Sequence, residues 1–241
     1  LKDEEESIYQ VIAATLLAGR LAPGTQLVEM RLAALFGVSR ERIRKVLQRL
    51  GHERLLEMIP NRGAFVASPN LTQAREIYEA RRIVEGGIVG RLAGRLTAAQ
   101  AQALSAHGRR ELEALQRDDR AMSIRLSGEF HVLLAEATGS PFVLRELQEL
   151  VSRTSMLVAF FEPAAASSCG CEEHEEISSA LIAGDAARAI RAMHAHLSLI
   201  ETRLTPRDEP REGGDPEAEL KRAWTAFQKK SGSARRTRQA A

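Results

Sequence analysis

Aromatic side chains are scarce in this chain. Seven Phe, two Tyr and one Trp make up 4% of its 241 residues, although 44% are hydrophobic. A core built mainly from Leu and Ala favours packed helices over a sheet rich in Tyr, Val and Thr. Cysteine is nearly absent too. Cys169 and Cys171 are the only two, too few for a disulfide framework and in keeping with a reducing cytoplasm. No apolar run approaches the roughly 18 residues of a membrane span. The start, Leu1-Lys2-Asp3-Glu4-Glu5-Glu6, is acidic and has no apolar stretch, which predicts no signal peptide. Leu rather than Met at position 1 predicts a trimmed chain. The hydrophobic fraction excludes disorder over most of the length, and the size allows two domains. A net charge of +2 says little until it is mapped along the chain.

That map, with the hydrophobic spacing, divides the chain in three. Residues 1–68 read as helices over about 4–18, 28–35 and 40–52, followed by a β-hairpin. Ile8, Val11, Ile12 and Leu16 recur at helical spacing, as do Ile43, Val46, Leu47 and Leu50. Gly37 suits a helix stop and Ser39 an N-cap. The runs Leu55–Ile59 and Ala64–Ala67 flank a polar tip, Pro60-Asn61-Arg62-Gly63. Residues 71–204 predict an all-helical bundle of about six helices, near 72–94, 97–116, 119–137, 141–161, 171–183 and 186–204. Thr97 with Gln100 predicts a capping box, and short connections predict antiparallel neighbours. Residues 205–241 begin with a Pro-, Gly- and acid-rich stretch. From 221 they are basic, which predicts a flexible tail with at most one helical turn near Trp224. The expected fold is mostly α: a winged helix-turn-helix, then the bundle.

The first part carries its own charge signature. Between residues 31 and 62 stand eight bases and three acids, a local +5. Such an element gains from counterion release on a duplex, which carries about one charge per 1.7 Å. Arg40 and Arg44 lie four apart, on one face at the start of the second helix of the turn. A recognition helix presents side chains to base edges there, and Arg can bridge guanine O6 and N7. Arg49 belongs to the same basic stretch and joins the candidate contacts. On charge alone, a solvated basic face explains the run equally well. The turn, the cap and the hairpin together favour double-stranded DNA.

The run Leu32-Ala33-Ala34-Leu35-Phe36-Gly37-Val38-Ser39-Arg40 and the later Pro60-Asn61-Arg62-Gly63-Ala64-Phe65-Val66 resemble the winged helix of GntR-family transcription regulators, FadR branch. The resemblance implies operator contacts from Ser39, Arg40 and Arg44 and, at the wing tip, from Arg62 and Gly63. The family usually has Thr-Pro or small polar residues where Glu41-Arg42 stand, and Glu in place of Lys45. These departures bear on which operator is read.

The helical part contains three histidines of interest: His131, His174 and His196. A lone His on an apolar helix is more often a satisfied core residue than a ligand. Here His174 aligns with Ile177 and Leu181, and His196 with Met193 and Ile200, on core-facing stripes. Converging neutral imidazoles ligate Zn, Ni and similar ions, although sequence spacing alone supports this weakly. His52 and His107 read as surface or boundary residues. Cys169 and Cys171 could in principle supply thiolates, but an exposed loop is the simpler reading.

Residues 71–204 resemble the FCD ligand-binding domain of the same branch. Ile77 to Glu85 match its start, and Phe130-His131, Glu173-His174 and Met193 to Leu197 its metal-binding positions. The resemblance implies a divalent metal, Zn or Ni, held by His131, His174 and His196. The family's further ligand, an Asp or Asn four residues before the first His, is Ser127 here. It also implies a small organic acid as effector, met by Arg81 and Ser127, although an ordinary salt bridge from Arg81 to Glu85 fits Arg81 as well. A homodimer on a near-palindromic operator follows from the same likeness. The expected function is a cytoplasmic, effector-responsive DNA-binding regulator, a repressor by family habit. A metal hydrolase would need a general base at an open cleft, and no such motif is present. The remaining alternative is a nucleic-acid binder without effector or metal response.

Overall fold

A computed structural model describes residues 2–163, 170–206 and 215–239. The chain divides into two compact units, with a boundary between Ser68 and Pro69. The first unit contains α1 (Lys2–Leu17), β1 (Gln26–Leu27), α2 (Glu29–Phe36), α3 (Arg40–His52), β2 (Leu56–Ile59) and β3 (Gly63–Val66). Its core is the predicted apolar stripes: Ile8, Ile12 and Leu16 of α1, Leu32 of α2, and Ile43, Leu47 and Leu50 of α3. The α2–α3 turn forms as the sequence suggests. Gly37 closes α2 at φ 70°, a conformation that costs glycine least. Ser39 caps α3 by accepting a hydrogen bond from the Arg42 amide. The hairpin forms in register, with Leu56 opposite Val66 and Ile59 opposite Gly63. It gains a third strand that the sequence did not announce. The two residues of β1 pair with β3, giving the order β1-β3-β2. Two residues are too few to show an alternating pattern.

The second unit contains a 3-10 turn (Leu71–Gln73) and six helices: α4 (Ala74–Leu92), α5 (Ala98–Gln116), α6 (Arg120–Ala137), α7 (Pro141–Phe161), α8 (Cys171–Ala183) and α9 (Ala186–Arg203). The Thr97–Gln100 capping box is present, and Asp119, Ser140 and Asp185 cap the helices that follow them. Helix α4 packs on α9 and α7, α6 on α5 and α7, and α8 on α5 and α9. Tyr78, Phe130, Leu147, Ile177, Leu181, Met193 and Leu197 share the core. No helix among the described residues is long and apolar enough to cross a membrane.

The tail departs from expectation. Residues Pro216–Gln239 form a helix, α10, which belongs to the first unit and packs on α1 and α2. Leu220 is fully buried, and the Trp224 ring meets Phe36 edge-on at 5.2 Å. The reading as a flexible tail is corrected for these residues. Leu220, Trp224 and Phe227 fall at helical spacing and supply an apolar anchor that the surrounding charges obscured. Most of the predicted Pro/Gly-rich linker lies outside the described residues.

Candidate functional sites

In the first unit the face of α3 that begins at Arg40 is open. Arg40 and Arg44 are exposed and share one partner, Glu29 of α2. Arg44 donates from Nε and Nη2 at 2.9 Å each, and Arg40 from Nη2 at 3.4 Å. The hydrogen bonds of Arg44 hold the Glu29 carboxyl below its ordinary range. Arg62 and Gly63 sit at the wing tip, where Asn61 and Gly63 both take positive φ. The Arg62 guanidinium lies 5.3 Å from the Phe65 ring, and its carbonyl accepts from Gln26 Nε2 at 2.7 Å. Arg49 is placed elsewhere. It lies five residues beyond Arg44, about 140° further around the helix. It stacks 3.5 Å from the Tyr9 ring and pairs with Glu6 and Glu53. Arg42 likewise pairs with Glu4 on α1. These two arginines tie α3 to α1, and Arg49 falls outside the group formed by Ser39, Arg40 and Arg44.

In the second unit His131 of α6, His174 of α8 and His196 of α9 converge, all buried. Their ligand nitrogens lie within 4.8 Å of one another. His196 Nε2 is 3.1 Å from His174 Nε2 and 3.3 Å from His131 Nε2. Nitrogens 2.0–2.1 Å from one ion, at angles of about 90–110°, would be roughly 2.9–3.4 Å apart. The opposite ring nitrogens are held by acids. His131 Nδ1 is hydrogen-bonded to Glu85 and His174 Nδ1 to Glu111, the latter at 2.8 Å. Phe130 stacks on His174 with centroids 4.0 Å apart.

The electrostatics of the cluster keep the rings neutral. Burial lowers His131 to about 4 although Glu85 pulls the other way. Burial, with His107 and Arg81 adding to it, lowers His174 to about 3. His196 also falls well below its ordinary value, through burial and then its two neighbours. Burial by itself would raise the Glu85 carboxyl, but Arg81 and His131 outweigh it and hold it at about 2. Burial lifts Glu111 to about 7 against the pull of His107 and His131.

Beside the cluster is a cavity of about 60 Å3 lined by Tyr78, Arg81, Ser127, His131 and Thr154, among others. Arg81 forms the salt bridge to Glu85 and leaves one nitrogen over. Its Nε donates to Glu85 at 2.6 Å and its Nη1 to Thr154 at 2.8 Å. Its Nη2 is buried with no hydrogen-bond partner among the described residues, as is the Tyr78 hydroxyl. Ser127 is half-buried in the wall that His131 shares.

Sequence reasoning missed two members of this site. His107, expected at the surface or its boundary, is buried, and its Nε2 donates to the Leu126 carbonyl at 2.9 Å. Glu111, four residues on, had not been singled out. Leu104, His107, Glu111 and Ala114 form one buried stripe, and an acid on an apolar stripe was the available signal. Cys171 is the first residue of α8 and half-buried. Cys169 lies outside the described residues.

Residues 4–66 match the family model for bacterial regulatory proteins of the gntR family, and residues 76–199 match the FCD domain. The chain belongs to the GntR family and carries an FCD domain. It is a DNA-binding transcription regulator and not an enzyme. It is 26% identical over 198 residues to the HTH-type transcriptional repressor RspR of Escherichia coli K12, covering 81% of this chain and 86% of that one. It is 27% identical over 210 residues to the HTH-type transcriptional regulator LutR of Bacillus subtilis, covering 78% and 94%. The solved structure of E. coli McbR/YncC shares the fold at TM-score 0.66 and 20% identity, covering 81% of this chain and 94% of that one. A putative GntR regulator from Rhodococcus sp. RHA1 does so at 0.67 and 22%, covering 83% and 96%.

Proposed function

We propose that this GntR-family chain is a dimeric repressor whose operator affinity is set by a small carboxylate bound beside a divalent metal. The observation that carries the reading is the proton count at the three histidines. Ionised Glu85 can only accept, so His131 carries its proton on Nδ1 and turns a lone pair inward. Once ionised, above about pH 7, Glu111 imposes the same on His174. Both lone pairs then face His196 Nε2, which has at most one proton to offer. A cation at the centre resolves the conflict, and the two acids supply charge balance one shell out. His131, His174 and His196 would hold it, with Zn or Ni favoured by three imidazoles. When bound, it adds positive charge at the cavity wall. Arg81 Nη2 and the Tyr78 hydroxyl are the unmatched donors there, and they suit a carboxylate. Ser127 contributes a hydroxyl where the family's Asp or Asn would stand, leaving room for an effector oxygen.

On the DNA side, Ser39, Arg40, Arg44, Arg62 and Gly63 form the proposed contact set. A winged helix reads one half-site, so two copies on a near-palindrome is the matching geometry. Ile83 on α4 and Phe142 on α7, each 70% exposed, are large apolar side chains available to a second copy.

Metal analysis of purified protein tests the reading, followed by thermal shift with Zn or Ni and a panel of small carboxylates. About one ion per chain, and operator release by one of the acids, are expected. A chain that takes up no ion and ignores every acid would overturn the effector reading. It would leave the alternative of a DNA binder without such control.

A further inference from the structure

Glu41 is the only acid of α3, against five cations in the same helix. Packing fixes where it points. Ile43, Val46, Leu47 and Leu50 form the buried face. At about 100° per residue, Glu41 and Gln48 stand almost opposite the centre of that face. Arg40 and Arg44 lie to one side, paired with Glu29, and Arg42 and Arg49 to the other, paired with α1. The axis of the exposed face therefore carries an anion. The Glu41 side chain is 76% exposed, against 61% for Arg40 and 50% for Arg44. It pairs with Lys45, one turn on, at 3.5 Å, and Lys45 is exposed as well. Two exposed charges one turn apart hold each other weakly, so the carboxylate can be taken by a partner from outside.

Local structure accounts for an acid here only in part. A carboxylate in the first turn complements the free amides of a helix N-terminus, but Ser39 already caps them. On a helix that meets DNA, phosphates repel the same carboxylate. The major groove offers it donors instead, cytosine N4 and adenine N6. Adenine N6 stands beside the N7 acceptor, which repels an anion. Guanine presents the acceptors O6 and N7, and thymine the acceptor O4. Cytosine N4 has no acceptor beside it on its own base edge. An anion on the outward axis of α3 therefore favours cytosine and rejects the other three bases.

We propose that Glu41 is a specificity-determining residue of the operator contact, accepting a hydrogen bond from the N4 amino group of a cytosine in the major groove. This rests on the reading of α3 as the helix that enters the groove. Arg44 follows three residues later, about 4.5 Å along the helix axis and about 60° around it. Base pairs rise about 3.4 Å, so the cytosine of Glu41 falls within about one step of the guanine of Arg44. The acid and the base then read opposite groups, a donor and a pair of acceptors, from one turn of helix.

The test is selection of the full chain against a randomised duplex library, with sequencing of the bound DNA. Glu41→Ala, Glu41→Gln and Arg44→Ala are run beside the wild type. The wild type should select a half-site with a fixed cytosine, and replacing that base should weaken binding about tenfold. Glu41→Ala should accept all four bases at that position and keep the others. Glu41→Gln should move the preference there to adenine, because an amide pairs with N6 and N7 together. A half-site without a fixed cytosine overturns the proposal. One sequence selected by the wild type and both Glu41 variants, but altered by Arg44→Ala, overturns the role of Glu41 alone. So does a uniform rise in the affinity of Glu41→Gln for every duplex with unchanged preference, since the anion would then only repel phosphates. A selected sequence that none of the three variants alters overturns the proposal together with the reading of α3.

Discussion

The Arg44 guanidinium grips the Glu29 carboxylate with two parallel hydrogen bonds, Nε to Oε1 and Nη2 to Oε2, each 2.9 Å. This is the fork an arginine uses to bridge guanine O6 and N7. In the DNA-free chain an acid of the neighbouring helix therefore occupies the arginine's donors. The pair is exposed, so it contributes little to stability and can be exchanged for a base edge. Arg44→Ala should weaken binding to a selected operator by about 10- to 100-fold and leave the melting temperature unchanged. Competition gel shifts and calorimetry on the same preparation check both halves. Full operator affinity in the variant would remove Arg44 from the contact set.

Glu29 acts on that contact from behind. Glu29→Gln removes an anion from the DNA-facing side and releases both Arg40 and Arg44. Affinity for mixed-sequence duplex should rise several-fold, because one more cation per chain goes unmatched. The ratio of operator to mixed-sequence affinity should fall, because the guanidinium is no longer held in one orientation. A higher ratio in the variant would show that the carboxylate only competes with DNA.

The proposed metal site puts the histidine trio to a direct test. His174→Ala removes a ring that faces both other imidazoles and should lower bound ion to a small fraction of wild type. It should also abolish thermal stabilisation by added Zn, which arises by mass action. Ser127→Asp should tighten the ion by placing an anionic oxygen in the wall beside His131. Equilibrium dialysis of the three proteins separates these effects. Equal metal content in wild type and His174→Ala would place any ion elsewhere.

In metal-free protein the trio should set an acid limit. The folded-state values of His131, about 4, and His174, about 3, lie below the unfolded value near 6.5. The unfolded chain thus binds more protons in that window. Their contribution is fully present above pH 6.5 and is lost as pH falls toward 4 and then 3. Glu111 runs the opposite way. Its folded value, about 7, lies above its unfolded one, so its share is present at low pH and lost as pH rises through 7. Glu111→Gln keeps an acceptor for His174 Nδ1 and removes this offset. Urea titrations from pH 7 to 4.5 should show a steeper acid loss in the variant. Identical pH dependence would mean that Glu111 is ionised throughout.

Leu220 anchors the C-terminal helix on the first unit. Leu220→Ala empties a fully buried site and should cost about 2–5 kcal/mol in the unfolding of that unit. The fluorescence of Trp224, the only Trp in the chain, reports whether its contact with Phe36 survives. A variant with unchanged stability and emission would show that α10 does not depend on this anchor.

Much of this was legible in the sequence, because helix formation and capping are local. The spacing of Ile43, Val46, Leu47 and Leu50 marks the buried face of α3, and Ser39 marks its start. Gly37, the Thr97–Gln100 pair and Asp185 punctuate helices by requirements visible within four residues. The stripes also placed His174 and His196 inward, since a residue three or four from a core position shares its face.

The tertiary structure decided what depends on residues far apart in the chain. Whether three inward histidines meet depends on how α6, α8 and α9 pack, and no spacing along one helix contains that. His107 reads as a surface or boundary residue and Glu111 draws no notice until α8 brings His174 to within 2.8 Å of the Glu111 carboxylate. Arg81 could serve Glu85 or a ligand, and only the fold shows one nitrogen spent on each of Glu85 and Thr154 with a third left over. The basic segment after Lys221 reads as a tail by charge alone. Its apolar anchor becomes visible only against α1 and α2, which stand some two hundred residues earlier. Hydrophobic burial is non-directional and takes its partner wherever the chain delivers one. Local pattern therefore determines which face of an element is buried, and packing alone determines what that face is buried against.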